Sequence, residues 1–235
     1  MGCIFCGSSD LSNEHVFAQW LLEYFNIKMA DFVYTRYSVT GAIKSTRRHV
    51  LNKFLNGHVC KKCNNEFLGE IENSAKNIII GLNNGTEEIS EKYSHILSKW
   101  FFKTAIQLNY CANSEHIVPK EHYSSFREGI IPENTYIDFA FSNFKTELFW
   151  WQGRTMQLTF DDNVEIKIIE NARSVYNITI QFGKLLFRVT HLSKLKVLER
   201  KGIIGYQLYP KYEVIQNKII TDPTEYHVNN AYVVE

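Results

Sequence analysis

Cys3-Ile4-Phe5-Cys6-Gly7, then Glu14-His15-Val16-Phe17, then Val59-Cys60-Lys61-Lys62-Cys63-Asn64-Asn65: the reading of the chain turns on these three stretches. Cys3 and Cys6 form one C-x-x-C pair, Cys60 and Cys63 a second, and Cys111 stands alone. The N-terminal residues carry neither a basic flank nor an apolar signal segment, so the expected compartment is the reducing cytoplasm, where disulfides do not persist. Two C-x-x-C pairs then supply four thiolates, the complement of a closed tetrahedral zinc site. A redox dithiol is the alternative. Gly7 after the first pair and Asn64 after the second tolerate the positive φ that tight knuckles often need. Cys111 falls in a helical pattern and reads as a small buried hydrophobe.

The 235 residues are 45% apolar, 22% charged and 14% aromatic, with 12 Gly and 4 Pro. This composition excludes wholesale disorder and collagen-like or linker-like low complexity. No apolar run approaches the ~18 residues of a membrane helix, so a soluble protein is expected. The net charge of +1 does not advertise an anionic partner, but its distribution does. Lys28, Arg36, Lys44, Arg47, Arg48, Lys53, Lys61 and Lys62 face a lone Asp31, a local balance of 8 − 1 = +7. Such a stripe fits a polyanion-binding face, with a solvated loop face as the alternative.

At ~150 residues per domain, the length suits one large domain or two small ones. Residues 18–25 read as a short helix with Leu21, Leu22 and Phe25 apolar. Val33–Val39 is β-prone, and Gly41 marks a turn. From Cys63 onward, Phe67, Ile71, Ala75 and Ile78 recur at helical spacing up to a break at residues 82–86. A second helix over about Ser90–Tyr110 places Ile96, Leu97, Trp100, Phe101, Ala105 and Leu108 on one core-facing side. Pro119 opens a shorter helix that stops near Gly129. Beyond Pro132 the chain becomes β-rich, with expected strands at Tyr136–Phe141, Glu147–Trp151, Met156–Phe160, Val164–Ile169, Tyr176–Gln181 and Leu185–Val189. Gly153, Asp161-Asp162-Asn163 and Gly183 supply turns between them. Ile178, Ile180 and Phe182 alternate with polar residues, which predicts a sheet with one wet face. The aromatic clusters Phe149-Trp150-Trp151 and Tyr206–Tyr209 fit either a sheet core or an interface. The expected class is α+β: an N-terminal metal-stapled module over residues 1–80, then a helical middle and a mostly antiparallel C-terminal sheet over 81–235.

A shared zinc would bring Glu14-His15 and Asn64 together, although some 50 residues separate them in sequence. A carboxylate and an amide oxygen are hard ligands suited to Mg²⁺, which keeps several waters and binds phosphate oxygens. A neighbouring imidazole can deprotonate water for in-line attack on a phosphodiester. The basic stripe would hold the backbone in place.

Cys3-x-x-Cys6, Glu14-His15 and Cys60-x-x-Cys63-Asn64 resemble the HNH nuclease family, the ββα-metal finger. The likeness is to the branch with a four-cysteine zinc and an Asn directly after the last Cys, as in phage endonuclease VII resolvases. It covers roughly residues 1–75, about a third of the chain. The resemblance implies an N-terminal ββα-metal module that cleaves DNA. His15 would be the general base, with Glu14 and Asn64 ligands of a catalytic Mg²⁺ or Mn²⁺. Cys3, Cys6, Cys60 and Cys63 would hold a structural zinc, and Arg47, Arg48, Lys61 and Lys62 would meet the DNA. Here the dyad is Glu-His rather than the commoner Asp-His, one methylene longer. The family's middle asparagine, which orients the histidine, has two counterparts by spacing, Asn56 and Asn52.

The expected function is a metal-dependent endonuclease of phage defence, restriction or a mobile element, with residues 81–235 for specificity or partner docking. Two alternatives stand beside it. One is a zinc-bearing DNA-binding module without cleavage, in which Glu14, His15 and Asn64 are structural. The other is a nuclease subunit active only with an ATPase or sensor partner; a homodimer is the other candidate assembly. His58 reads as a surface histidine, and His116 and His122 have no partners legible in the sequence.

Overall fold

Strand β1 (Leu11–His15) pairs not with the next strand but with β4 (Leu55–Cys60), antiparallel, with Leu11 opposite Cys60, Ser12 opposite Val59, Glu14 opposite Asn56 and His15 opposite Leu55. These elements come from a computed structural model that describes residues 2–37, 42–112, 116–154, 157–160, 175–195, 197–201, 203–216, 218–228 and 231–234. Between the paired strands lie helix α1 (Gln19–Tyr24), which buries Leu21 and Leu22, and the hairpin β2 (Asp31–Tyr37) with β3 (Ile43–Val50). A 3₁₀ turn over Leu51–Lys53 leads into β4. The expected turn at Gly41 lies outside the described residues.

After Cys60 the chain enters a helical segment whose first stretch, Cys63–Leu68, is π-helical and whose remainder is α2 (Gly69–Asn84). Ile71, Ala75, Ile78 and Ile79 are its buried stripe. Gly85, at φ 73°, ends it in the left-handed conformation that glycine adopts without penalty.

Helix α3 (Glu91–Ala112) departs from the one-sided reading of its sequence. Every residue from Trp100 to Asn109 is buried, including Lys103, Thr104, Gln107 and Asn109. The reason is its position: α3 packs on α2 and β4 on one side and on the C-terminal sheet on the other. Several of its buried polar groups are paired there, although Gln107 and Ser98 Oγ have no hydrogen-bond partner among the described residues. Thr104 donates to Trp100 O at 2.9 Å, and Asn109 donates to Gln152 while accepting from Val118 N. Helix α4 (Lys120–Arg127) follows Pro119 and stops before Gly129, as its punctuation predicts.

The C-terminal strands are β5 (Thr135–Phe141), β6 (Leu148–Gly153), β7 (Gln157–Phe160), β8 (Tyr176–Phe182), β9 (Leu185–His191), β10 (Val197–Lys201), β11 (Gly205–Tyr209), β12 (Glu213–Gln216) and β13 (Ala231–Val234). Six form an antiparallel sheet in the order β12-β11-β5-β9-β8-β6. A smaller sheet, β10-β13-β7, has β13 parallel to β7. The expected strand Val164–Ile169 and the turn at Asp161-Asp162-Asn163 lie outside the described residues. The chain is thus mixed α and β with a mostly antiparallel C-terminal sheet. Among the described residues no helix is long and apolar enough to cross a membrane.

One face of the large sheet grips α3. The rings of Phe101 and Phe187 stack at 4.0 Å, and Trp100 meets Phe182 at 5.7 Å. The other face is polar, yet it is not wet. Asn177, Thr179, Gln181, Arg188 and Thr190 are buried, in part because helix α5 (Pro223–Val228) lies across them. Asn177 donates to His227 O at 2.9 Å, Thr179 Oγ1 meets His227 Nδ1 at 2.8 Å, and Arg188 donates to Tyr226 O. Arg188 and Arg200 both clasp Asp138; burial by itself would raise that carboxyl, but the two guanidinium charges hold it below its usual range. Alternation with polar residues therefore marks a second buried layer here rather than a solvent face.

A continuous apolar cluster runs from Cys3 to Leu208, and residue 80 falls inside α2. Most of the aromatic surplus belongs to this core. Trp150 packs on Phe17, Phe32 and Phe54, and Tyr206 is buried, whereas Trp151 is 36% exposed and stacks on Tyr37.

His122 and His191 meet edge to face at 4.5 Å, with Nδ1 of the first 3.0 Å from Tyr176 OH and Nδ1 of the second 3.1 Å from Thr135 Oγ1. Burial pushes His122 down to about 4 and His191, helped by the charge His122 would carry, to about 3. His227 falls to about 3, again through burial first and then the Arg188 charge. In the unfolded chain such histidines titrate near ~6.5. Below that pH the unfolded state binds protons that the folded state refuses, so stability falls as pH drops from ~6.5 toward the folded values. Chemical denaturation should give a lower midpoint at about pH 5 than at about pH 7, and His227→Gln should shrink the difference. A midpoint that does not change between those pH values would contradict this account.

Candidate functional site

Two knuckles converge. In the first, Gly7 N donates to Cys3 O and Cys3 N to Ser8 O, both at 2.8 Å, with Gly7 at φ 77°. The second forms where β4 gives way to helix, and there Cys63 N donates to Cys60 Sγ at 3.3 Å. Ile4 N to His58 O (2.9 Å) and Lys61 N to Asp10 O (3.0 Å) stitch one knuckle to the other. Asn64 does not close its knuckle with a positive φ; it is part of the helical turn Cys63–Leu68.

The Sγ atoms of Cys3, Cys6, Cys60 and Cys63 all lie within 4.8 Å of one another. Four sulfurs at ~2.3 Å from a tetrahedral ion would stand ~3.8 Å apart, so the cluster can hold a structural metal ion such as zinc. Its electrostatics point the same way. Burial opposes ionisation of Cys60, but the Cys63 N–H and the surrounding thiols outweigh it and bring Cys60 down to about 7. Cys63 moves in the opposite direction, through burial and then the same neighbours. Cys111 on α3 lies apart from the cluster and is half-buried rather than the buried hydrophobe expected; desolvation pushes its thiol up to about 12.

Beside the knuckles opens a cleft of ≈ 180 Å³ whose walls include Glu14, His15, Gln19, Trp20, Asn64 and Glu72. Strand β1 delivers Glu14 and His15, and the helical turn after Cys63 delivers Asn64. Asn64 Nδ2 donates to Ser12 Oγ at 3.2 Å, and Ser12 in turn donates to Val59 O at 3.0 Å. With its nitrogen engaged, Asn64 keeps its carbonyl oxygen as the remaining donor to a ligand. The Gln19 amide nitrogen lies 3.0 Å from His15 Nε2 and 3.3 Å from Nδ1, which fixes the imidazole against α1.

Among the residues of this site that were not singled out in the sequence are Glu72 and Lys103. Lys103 Nζ lies 2.6 Å from Glu72 Oε1 and 3.3 Å from Glu14 Oε1, and its side chain is fully buried. Burial alone would lower its ammonium, but the attraction of Glu72 and Glu14 and the bonds to both raise it above the ordinary lysine value. The available signal was a lysine inside the apolar run Trp100-Phe101-Phe102-Lys103-Thr104-Ala105-Ile106.

Of the two middle-asparagine candidates, Asn56 stands on β4 directly opposite Glu14, whereas Asn52 sits in the 3₁₀ turn. Asn56 accepts from His58 N, and its Nδ2 is buried without a partner among the described residues. His58 is half-buried against Tyr110 rather than a free surface group.

The basic residues are spread over separate elements. Arg47 and Arg48 are exposed on β3, and Lys61 and Lys62 are exposed at the second knuckle. Arg48 pairs with Asp31 at 2.7 Å and Lys61 with Asp10 at 3.0 Å, solvent-exposed contacts of small energetic weight. Arg36 leaves the stripe altogether: its guanidinium holds Ala112 O at the carboxyl end of α3.

Comparison of the chain with protein-family models, with curated proteins and with solved structures finds no match.

If the four thiols close one site, purified protein should carry about one Zn²⁺ per chain, since a four-cysteine set is saturated by one ion. Cys3→Ser and Cys63→Ser should each lose it, measured by elemental analysis. Stoichiometric metal retained in both variants would contradict a shared site.

Proposed function

We propose that this protein is a metal-dependent endonuclease of the HNH type, hydrolysing DNA phosphodiester bonds, with a structural zinc held by Cys3, Cys6, Cys60 and Cys63. The observation that carries the reading is that Glu14, His15 and Asn64, distant in sequence, line one cleft beside the thiol cluster. The order of elements supports it as well: two antiparallel strands, β1 and β4, followed directly by a helix, as a ββα-metal module requires.

The donor set fits a catalytic Mg²⁺ or Mn²⁺. Glu14 offers a carboxylate and Asn64 a carbonyl oxygen, hard donors on a cleft with room for water. Bound there, the ion would supply Lewis-acid polarisation and charge stabilisation at the scissile phosphate. Glu14 and Asn64 bind and place it. An imidazole nitrogen of His15, with Gln19 fixing its ring, accepts the proton of the attacking water. Asn56, opposite Glu14, is the better candidate for the family's orienting asparagine. Arg47, Arg48, Lys61 and Lys62 neutralise phosphates along the duplex, which makes affinity fall with salt.

One observation favours a second reading, a zinc-bearing DNA binder without cleavage: Glu14 already has a cationic partner in Lys103, and His15 has Gln19. Incubation with plasmid DNA in Mg²⁺, in Mn²⁺ and in EDTA separates the two. The nuclease reading expects metal-dependent cleavage that His15→Ala lowers ~10²–10⁴-fold, with zinc content and DNA binding unchanged. Glu14→Ala and Asn64→Ala should be partly restored by excess Mn²⁺, and His15→Ala should not. Wild-type cleavage matched by His15→Ala would refute the role of His15, and DNA binding without any cleavage would favour the binder.

A further inference from the structure

The floor of the cleft holds a cation that neither the thiol cluster nor the surface basic residues explain. Lys103, in the middle of α3 with no exposed surface, sets its ammonium between Glu72 and Glu14. The two acids are not equivalent. Glu72 has both oxygens occupied: Oε1 accepts from Lys103 at 2.6 Å, and Oε2 accepts the indole N–H of Trp20 and of Trp100, each at 2.8 Å. A carboxylate has roughly four acceptor positions, and Glu72 fills three of them inside the protein. Glu14 engages Lys103 through Oε1 alone and at the longer 3.3 Å. Glu14 is therefore the carboxylate with capacity left for a ligand.

A buried ion pair is a poor device for stability, because apolar residues of similar volume often serve the core as well or better. What an apolar pair would not supply is control of charge. Two carboxylates and one ammonium give the group a formal charge of −1. Without Lys103 it would be −2, and with Glu72 neutralised it would be zero.

We infer that the Lys103–Glu72 pair sets how strongly the cleft binds a divalent cation: Lys103 competes with the cation for Glu14, and Glu72 draws Lys103 away from Glu14. This rests on the reading of Glu14 as a metal ligand. A dication entering a site of charge −1 leaves a net positive centre, which the phosphate of the DNA then neutralises. Cation and phosphodiester consequently favour each other's binding, and the coupling is reciprocal. Lys103 is in these terms a positioning residue that touches neither substrate nor water. It also makes α3, outside the segment that resembles a nuclease, part of the centre.

The test is Mn²⁺ binding to zinc-loaded protein without DNA, read from the paramagnetic resonance of free Mn²⁺. A unit charge ~5 Å away in a partly screened site changes a dication's affinity roughly tenfold or more. Glu72→Gln should therefore weaken Mn²⁺ binding by about that factor, and Lys103→Met should tighten it by about the same factor. Lys103→Met/Glu72→Gln restores the charge of −1 and should bind close to wild type. Zinc content and circular dichroism report whether each variant is folded. If Lys103→Met fails to fold, Glu72→Gln and the double variant still decide the matter. Weaker binding in a folded Lys103→Met, or affinity in Glu72→Gln unchanged from wild type, would overturn the inference. Glu14→Ala tests the underlying reading separately: if it binds Mn²⁺ as wild type does, Glu14 is no ligand and that reading fails instead.

Discussion

A lysine ammonium cut off from water is tolerable only between carboxylates, and at Lys103 these arrive from two elements, Glu14 on β1 and Glu72 on α2. Removing one partner of such a buried set typically costs about 3–5 kcal/mol, because it leaves an uncompensated charge. The interaction therefore constrains where three elements can lie. α3 must pass beneath the cleft, and β1 and α2 must present their acids toward it. The opposite side of α3 is wedged by Phe101 and Trp100 against Phe187 and Phe182 of the large sheet. The cleft is thus fixed to the C-terminal sheet through one helix, which explains why α3 is buried around its circumference from Trp100 to Asn109.

The thiol cluster acts on the same site from the other side. Drawing Cys3 and Cys6 to Cys60 and Cys63 brings the N-terminal knuckle to the end of β4, and with it the register of β1 on β4. Leu11 stands opposite Cys60, and a one-residue irregularity between Ser12 and Glu14 then sets Glu14 opposite Asn56. A slip of one residue would turn Glu14 and His15 onto the wrong faces of the strand. Asn64, one residue after Cys63, then reaches Ser12 and the cleft wall. The meeting of Glu14, His15 and Asn64 at one cleft is a consequence of that convergence.

Much of this was legible in the sequence, for physical reasons that differ by element. The knuckles were readable because two C-x-x-C pairs supply the four thiolates of a closed metal site. Helices α2 and α4 and most of β5, β6, β8 and β9 followed from periodicity and from Gly and Pro punctuation. The burial of α3 on all sides from Trp100 to Asn109 did not, since Lys103 and Asn109 mark a surface face by composition and acquire partners only in the folded chain. Gln107 is buried there with no hydrogen-bond partner among the described residues. The polar face of the large sheet misled in the same way: Asn177, Thr179 and Arg188 satisfy α5 and Asp138, elements remote in sequence. Arg36 counted toward a basic stripe but caps α3, a role that no local pattern announces. Glu72 fell at an ordinary helix position, and its two indole donors come from Trp20 and Trp100.

The central claim is that one cleft, beside a four-cysteine zinc, holds a second and catalytic cation between Glu14 and Asn64. Anomalous diffraction from crystals of the zinc-loaded protein grown with Mn²⁺ tests it most directly, because the two metals are distinguished by their absorption edges. The account predicts a zinc peak among Cys3, Cys6, Cys60 and Cys63 and a manganese peak within coordination distance of Glu14 and Asn64, ~2.0–2.4 Å from their oxygens. A zinc peak with no manganese at the cleft, or manganese bound only elsewhere on the surface, would contradict it.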